Sequence, residues 1–189
     1  MIQTVITPTR PSPSALTRRM TVAVAVAVAV IAAPTPAVMP ALVLFNMLVA
    51  AISLVDITEL KVPNRILGPG FLMAILLLAG ASAFTSEWDR LGRAGAIAAL
   101  MFAAFLALAA LAPSSLGLGD VKLAPYLALH LAWLDPRACW WGFLIGVVLA
   151  GAWSAGALRR ASDTKVMVPY APFLGAGALA AELLARIAL

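Results

Sequence analysis

Seven long apolar stretches, divided by short polar segments, leave this chain little choice of fold. They run at about Met20–Ala33, Ala37–Val55, Ile66–Phe84, Ala94–Ala112, Val121–Leu134, Ala138–Ala157 and Val168–Leu189. A helix needs about 20 mostly apolar residues to cross the roughly 30 Å hydrocarbon core of a bilayer. Within lipid every backbone N–H and C=O must find its partner inside the protein, so a lone strand is excluded and helices are expected. The fold class is therefore all-α, a polytopic membrane helix bundle of about seven transmembrane helices. Composition agrees: 63% of the residues are hydrophobic and 11% charged, with a mean hydropathy of +1.03, whereas a soluble domain is only about half apolar. The crossings take up the 189 residues, and no second, soluble domain is expected.

The first 19 residues carry three prolines, several Ser and Thr, and Arg10, Arg18 and Arg19, and read as a polar, disordered cytoplasmic tail ahead of one membrane-embedded domain, 20–189. The first apolar stretch alternates Val and Ala and stops at Pro34 and Pro36. With arginines before it and small residues after it, it reads either as an anchor helix or as a signal segment. Orientation follows from the bias of Lys and Arg towards the cytoplasmic side. With the N-terminus inside, nine of these residues fall in the cytoplasm and four outside (Arg90, Arg93, Arg137 and Arg186), which supports an N-in, C-out arrangement. The segments Asp56–Arg65, Pro113–Lys122 and Arg159–Val166 then face the cytoplasm. The formal charge of +5 is spread over these connections instead of one basic face, so no nucleic-acid partner is expected. A single cysteine, Cys139, excludes an intramolecular disulfide and any CxxC site.

Of the eight acidic residues, Glu59, Glu87, Asp89, Asp135 and Asp163 sit in loops, and Glu182 lies near the outer end of the last stretch. Asp56 and Asp120 remain, each joined directly to an apolar helix. Asn46, Ser53 and Asp56 recur at helical spacing and make a polar stripe on an otherwise lipid-like segment. Ionisable groups at membrane depth are costly, and by default they mark functional sites. Alone, Asp56 also reads as an interfacial residue, and Asp120, in Gly117-Leu118-Gly119-Asp120, as a helix-capping turn. The glycines would allow a positive φ or a close approach of another chain. Together the two aspartates say more, because carboxylates at the same depth that approach closely cannot both ionise and must share a proton. One member can then take a proton from water while the other donates to the developing oxyanion, with no metal or cofactor needed.

The stretch Gly117-Leu118-Gly119-Asp120-Val121-Lys122-Leu123 resembles the GxGDVKL signature of the type IV prepilin leader peptidases. Asp56, followed by Val62-Pro63-Asn64, resembles that family's first catalytic aspartate and its (I/V)PN motif, and Val168-Pro169-Tyr170-Ala171-Pro172-Phe173 is similar to its late proline-containing segment. The resemblance covers about Ala37 to Ala180 and implies a six-helix catalytic core, about 37–189, behind an N-terminal anchor or signal helix. It implies that Asp56 and Asp120 are catalytic in an aspartic endopeptidase of a bacterial cytoplasmic membrane, with Gly117, Gly119, Lys122, Pro63, Asn64 and Pro169 as motif or substrate-binding candidates. The implied partners are prepilin or pseudopilin precursors, cut after a short basic leader at the cytoplasmic face. Longer members carry a cytosolic insertion with paired CxxC motifs linked to zinc and N-methylation. This chain has neither, so it resembles the short peptidases of tight-adherence pilus systems, and N-methylation is not expected.

Lys122 reads equally as an orienting or oxyanion-stabilising group and as a snorkelling anchor. Glu59 reads first as a solvated charge, with contact to a basic leader as the alternative. His130 falls away from both aspartates with no second ligand nearby, and Gly142 and Gly146 form a GxxxG spacing suited to close helix packing. Pro125 should interrupt helical hydrogen bonding and start its helix near Ala124. Two other readings stay open. The GxGD tetrapeptide also fits the presenilin and signal peptide peptidase group, although Val55 stands where those proteins usually place a Tyr. A small proton- or cation-coupled transporter would also carry membrane aspartates, but it would predict internal repeats, and none is evident.

Overall fold

The computed structural model describes residues 14–111, 117–160 and 169–187, with the backbone alone at 158 and 160. Among these residues the chain forms seven α-helices and no strand. They are α1 (Ala15–Ala32), α2 (Met39–Glu59), α3 (Asn64–Thr85), α4 (Trp88–Leu111), α5 (Leu118–Leu134), α6 (Pro136–Arg160) and α7 (Ala171–Ile187). The expected apolar stretches coincide with these helices, because in lipid the helix is what an uninterrupted apolar run can form. Short turns join α2 to α3, α3 to α4 and α5 to α6, so successive helices run in opposite directions. The end of α2 and the starts of α3, α5 and α7 therefore gather at one end of the bundle.

Five helices, namely α1, α2, α3, α4 and residues Pro136–Ala157 of α6, are long and apolar enough to cross a membrane. The chain is a multi-pass membrane protein. The 17-residue helices α5 and α7 rise about 25 Å each, slightly less than the hydrocarbon core. Leu72, Leu76, Leu100, Val147 and Val148 point outwards as a lipid-facing surface. Trp88, Trp140 and Trp141 are exposed near the end opposite to Asp56 and Asp120, where amphipathic rings prefer the headgroup level.

α5 forms the centre of the bundle: Leu123, Ala124 and every residue from Tyr126 to Trp133 are buried. It does not begin near Ala124. The helix starts at Leu118 and runs through Pro125. A proline removes a single backbone bond, here to the Val121 carbonyl, and neighbouring helices tolerate such a break in a membrane bundle. α1 likewise starts earlier than the apolar run. Ser14 Oγ accepts the Thr17 N–H at 3.1 Å, and the capped helix includes Arg18 and Arg19, which are good helix formers. Of the stretch expected as a polar tail, residues 1–13 lie outside the described residues.

The GxxxG spacing does bring two backbones together. A Cβ added at Gly146 would lie 2.9 Å from the Leu174 Cα, and one at Gly177 would lie 2.6 Å from the Gly146 nitrogen. Any side chain at these positions would push α6 and α7 apart.

Candidate active site

The site is assembled from the end of one helix and the starts of three others. α2 stops at Glu59 because Leu60 takes a left-handed conformation, φ 53° and ψ 42°, and its N–H returns to the Asp56 carbonyl. Without a glycine this conformation costs about 1 kcal/mol or more. It turns the chain sharply into Lys61-Val62-Pro63, and the extended Pro63 then launches α3 at Asn64. Opposite this turn, Gly117 begins α5, which puts Asp120 in the first helical turn. The Asp120 carboxylate lies back against Gly117, with Oδ2 3.4 Å from where a Cβ on that glycine would stand, so the side chain sits over its own helix start.

Asp56 sits likewise over the start of a different helix. Its Oδ2 accepts the N–H of Ala171, the first residue of α7, at 3.0 Å. Three residues earlier on α2, the Ser53 hydroxyl donates to the Ala171 carbonyl at 3.4 Å. Both carboxyl groups thus sit at helix N-termini, where unpaired N–H groups and the helix dipole favour negative charge. Asp56 and Asp120 are 6% and 8% exposed, and both line one cleft of about 530 Å³. Each lies within electrostatic reach of the other.

Two further contacts lock the motif segments together. The Lys122 ammonium donates to Asn64 Oδ1 at 3.2 Å, and both residues are exposed at the cleft. Gly119 meets Val62 so closely that an added Cβ would lie 2.9 Å from the Val62 Cβ. Close approach, and not an unusual φ, is what requires glycine at 119: no described glycine has a positive φ. At Gly117 an added Cβ would only touch Asp120 Oδ2 at 3.4 Å. Pro63, Asn64, Gly117, Gly119 and Lys122 therefore share the cleft with the aspartates, as does the exposed Glu59. Pro169 is buried just ahead of α7 and does not line the cleft; it is Ala171, two residues on, that reaches Asp56.

The polar stripe on α2 faces α7 along its whole length. Asn46 Nδ2 donates to Glu182 Oε2 at 2.8 Å, and both side chains are fully buried. Read as a residue near the outer end of its helix, Glu182 gave no sign of this contact. The available signal was its position seven residues after Gly175, on the face that α7 buries. His130 lies in the same layer, stacked on Phe45 with ring centroids 4.3 Å apart, with Nδ1 3.0 Å from the Tyr126 carbonyl. Among the described residues no three His, Cys, Asp or Glu side chains come together as a metal site.

The family model for type IV leader peptidases matches residues 41–155, well over half of the chain. The chain belongs to the type IV leader peptidase family. No curated protein and no solved structure matches it. Membership makes this leader peptidase relative a protease of the membrane, and the matched span contains both aspartates, the Val62-Pro63-Asn64 turn and the Gly117–Lys122 segment. In this family member α1 and α7 lie outside the matched span, so the contact between Asp56 and Ala171 joins the matched region to a helix beyond it.

Proposed function

We propose that the protein is a prepilin peptidase of the aspartic type, with Asp56 and Asp120 as its catalytic pair. It would act at the cytoplasmic face of a bacterial inner membrane, on type IV pilin-like precursors of the tight-adherence kind. The observation that carries this reading is the convergence of two nearly buried carboxyl groups, from different helices, on one open cleft. Two aspartates in a space of this kind hold a single proton between them. Water placed between the carboxyls loses a proton to the ionised member as it attacks the scissile carbonyl, and the protonated member donates to the carbonyl oxygen. The tetrahedral adduct then collapses with cleavage of the C–N bond, and the departing amine takes up a proton from the pair.

Helical peptide resists such attack because its carbonyls are already bonded. A glycine before the cut makes local unwinding cheaper. The exposed Glu59 stands at the cleft where a basic leader would lie. Lys122 is engaged with Asn64 and so holds the two motif segments in register. No methyl transfer is assigned, since the chain has one cysteine and hence no paired CxxC motifs.

The deciding experiment replaces each aspartate by asparagine and follows a co-expressed prepilin by the gel shift that removal of its leader causes. Neither Asp56→Asn nor Asp120→Asn should process the precursor. Full processing by either variant rejects the catalytic assignment.

A further inference from the structure

A second cavity, of about 560 Å³, opens in the flank of the bundle between α3, α4 and α5. Its α4 wall is formed by Leu91, Gly95, Ala98, Ala99 and Phe102, and from the first to the last of these the helix rises about 16 Å, half the hydrocarbon core. α5 contributes Lys122, Pro125 and Leu129, and α3 contributes Phe71 and Ile75. Apart from the single ammonium at one end the lining is apolar, so the groove suits an elongated apolar occupant lying parallel to the helices.

The groove adjoins the aspartate cleft, with Lys122 on the wall of both. A smaller cavity of about 220 Å³, lined by Asn64, Leu67, Gly68, Phe71 and Lys122, lies between them. It shares Phe71 and Lys122 with the groove, and Asn64 and Lys122 with the cleft. An occupant of the groove that continued past Lys122 would enter the space between Asp56 and Asp120. A lipid chain has no reason to make that turn, whereas a polypeptide cut at the aspartates and apolar beyond the cut must do so.

We propose that the groove between α3, α4 and α5 docks the apolar transmembrane segment of the substrate, placing the bond ahead of that segment at the aspartates. This assignment rests on the prepilin peptidase reading and names the surface by which the enzyme holds its precursor. The groove accepts one face of a helix, and the other face remains in lipid. Gly95 is central to it, because a Cβ at this position meets nothing within 4 Å. A larger side chain there fills the groove without disturbing the bundle, and it favours the helix.

The test uses the full-length protein in detergent or liposomes, with two substrates: an intact pilin-like precursor, and a short peptide that spans the cleavage site but stops before the apolar segment. Gly95→Leu and Ala99→Leu should slow cleavage of the intact precursor by about tenfold or more, the discrimination that lost apolar contact of this size carries. Cleavage of the short peptide should be unchanged, and the melting temperature should not fall. Gly151→Leu on α6, also placed in open space, should alter neither reaction. A photo-crosslinker at position 99 should capture the precursor. Equal slowing of both substrates, no slowing of either, or capture of phospholipid alone would overturn the docking site. If the wild-type protein cleaves neither substrate, the peptidase reading itself fails. If it cleaves both and the groove variants are silent, only the docking site is lost.

Discussion

The Asp56 carboxylate accepts the backbone N–H of Ala171 at 3.0 Å, so a residue proposed for catalysis also caps the last helix of the bundle. The two roles separate on substitution. Asparagine keeps an oxygen that can accept the same bond, whereas alanine leaves the buried N–H without a partner. Asp56→Asn should therefore lose processing with little change in melting temperature. Asp56→Ala should lose both processing and about 1 kcal/mol of stability, read by thermal unfolding in detergent.

Gly119 and Val62 make a second testable pair. A Cβ at 119 would lie 2.9 Å from the Val62 Cβ, so Gly119→Ala must displace the turn that carries Pro63 and Asn64 along one wall of the cleft. Processing should fall by about tenfold or more, since displacements of this order at a reactive site are costly. The double variant Gly119→Ala with Val62→Gly, which removes that Cβ, should recover much of the loss. Gly117→Ala, facing only Asp120 Oδ2 at 3.4 Å, should be milder.

The buried bond between Asn46 and Glu182 predicts an effect on stability. Asn46→Leu leaves the Glu182 carboxyl without its partner and should cost about 1–3 kcal/mol. Glu182→Gln can still accept from Asn46 Nδ2 and should stay close to the wild type in melting temperature and in processing rate.

A pair of carboxyls that must hold one proton gives a bell-shaped dependence of rate on pH. At low pH both are protonated and no base remains to activate water. At high pH both are ionised, and nothing donates to the oxyanion. Cleavage of a short peptide, followed across pH, should fall on both sides of a maximum, and a single sigmoid would contradict the shared proton.

The spans were legible because lipid permits so little else: Ile66–Phe84 was readable as a helix from apolarity alone, and α3 covers Asn64–Thr85. The ends were harder, since water at a helix terminus lets the helix outrun its apolar stretch, as α1 does back to Ala15. Pro125 misled because a local penalty on one hydrogen bond was weighed without the burial that the rest of α5 gains from its neighbours. Asp56, Asp120 and the segments around them were visible as polar residues where apolar ones belong. The partner of Asp56 was not. Nothing in a linear reading links Asp56 to Ala171 or Asn46 to Glu182, 136 positions apart, because those pairs are fixed by how α2 lies on α7. Gly119 was expected to matter, but the reason lies in the proximity of Val62, which spacing cannot give.

α2 and α7 are stitched at three heights, through Asn46 and Glu182, through Ser53, and through Asp56 and Ala171. A seam fastened along its length does not part to admit a polypeptide, so that side of the molecule behaves as a fixed wall. On the proposed reading, a precursor would then reach the aspartates from the opposite flank, along the groove between α3, α4 and α5.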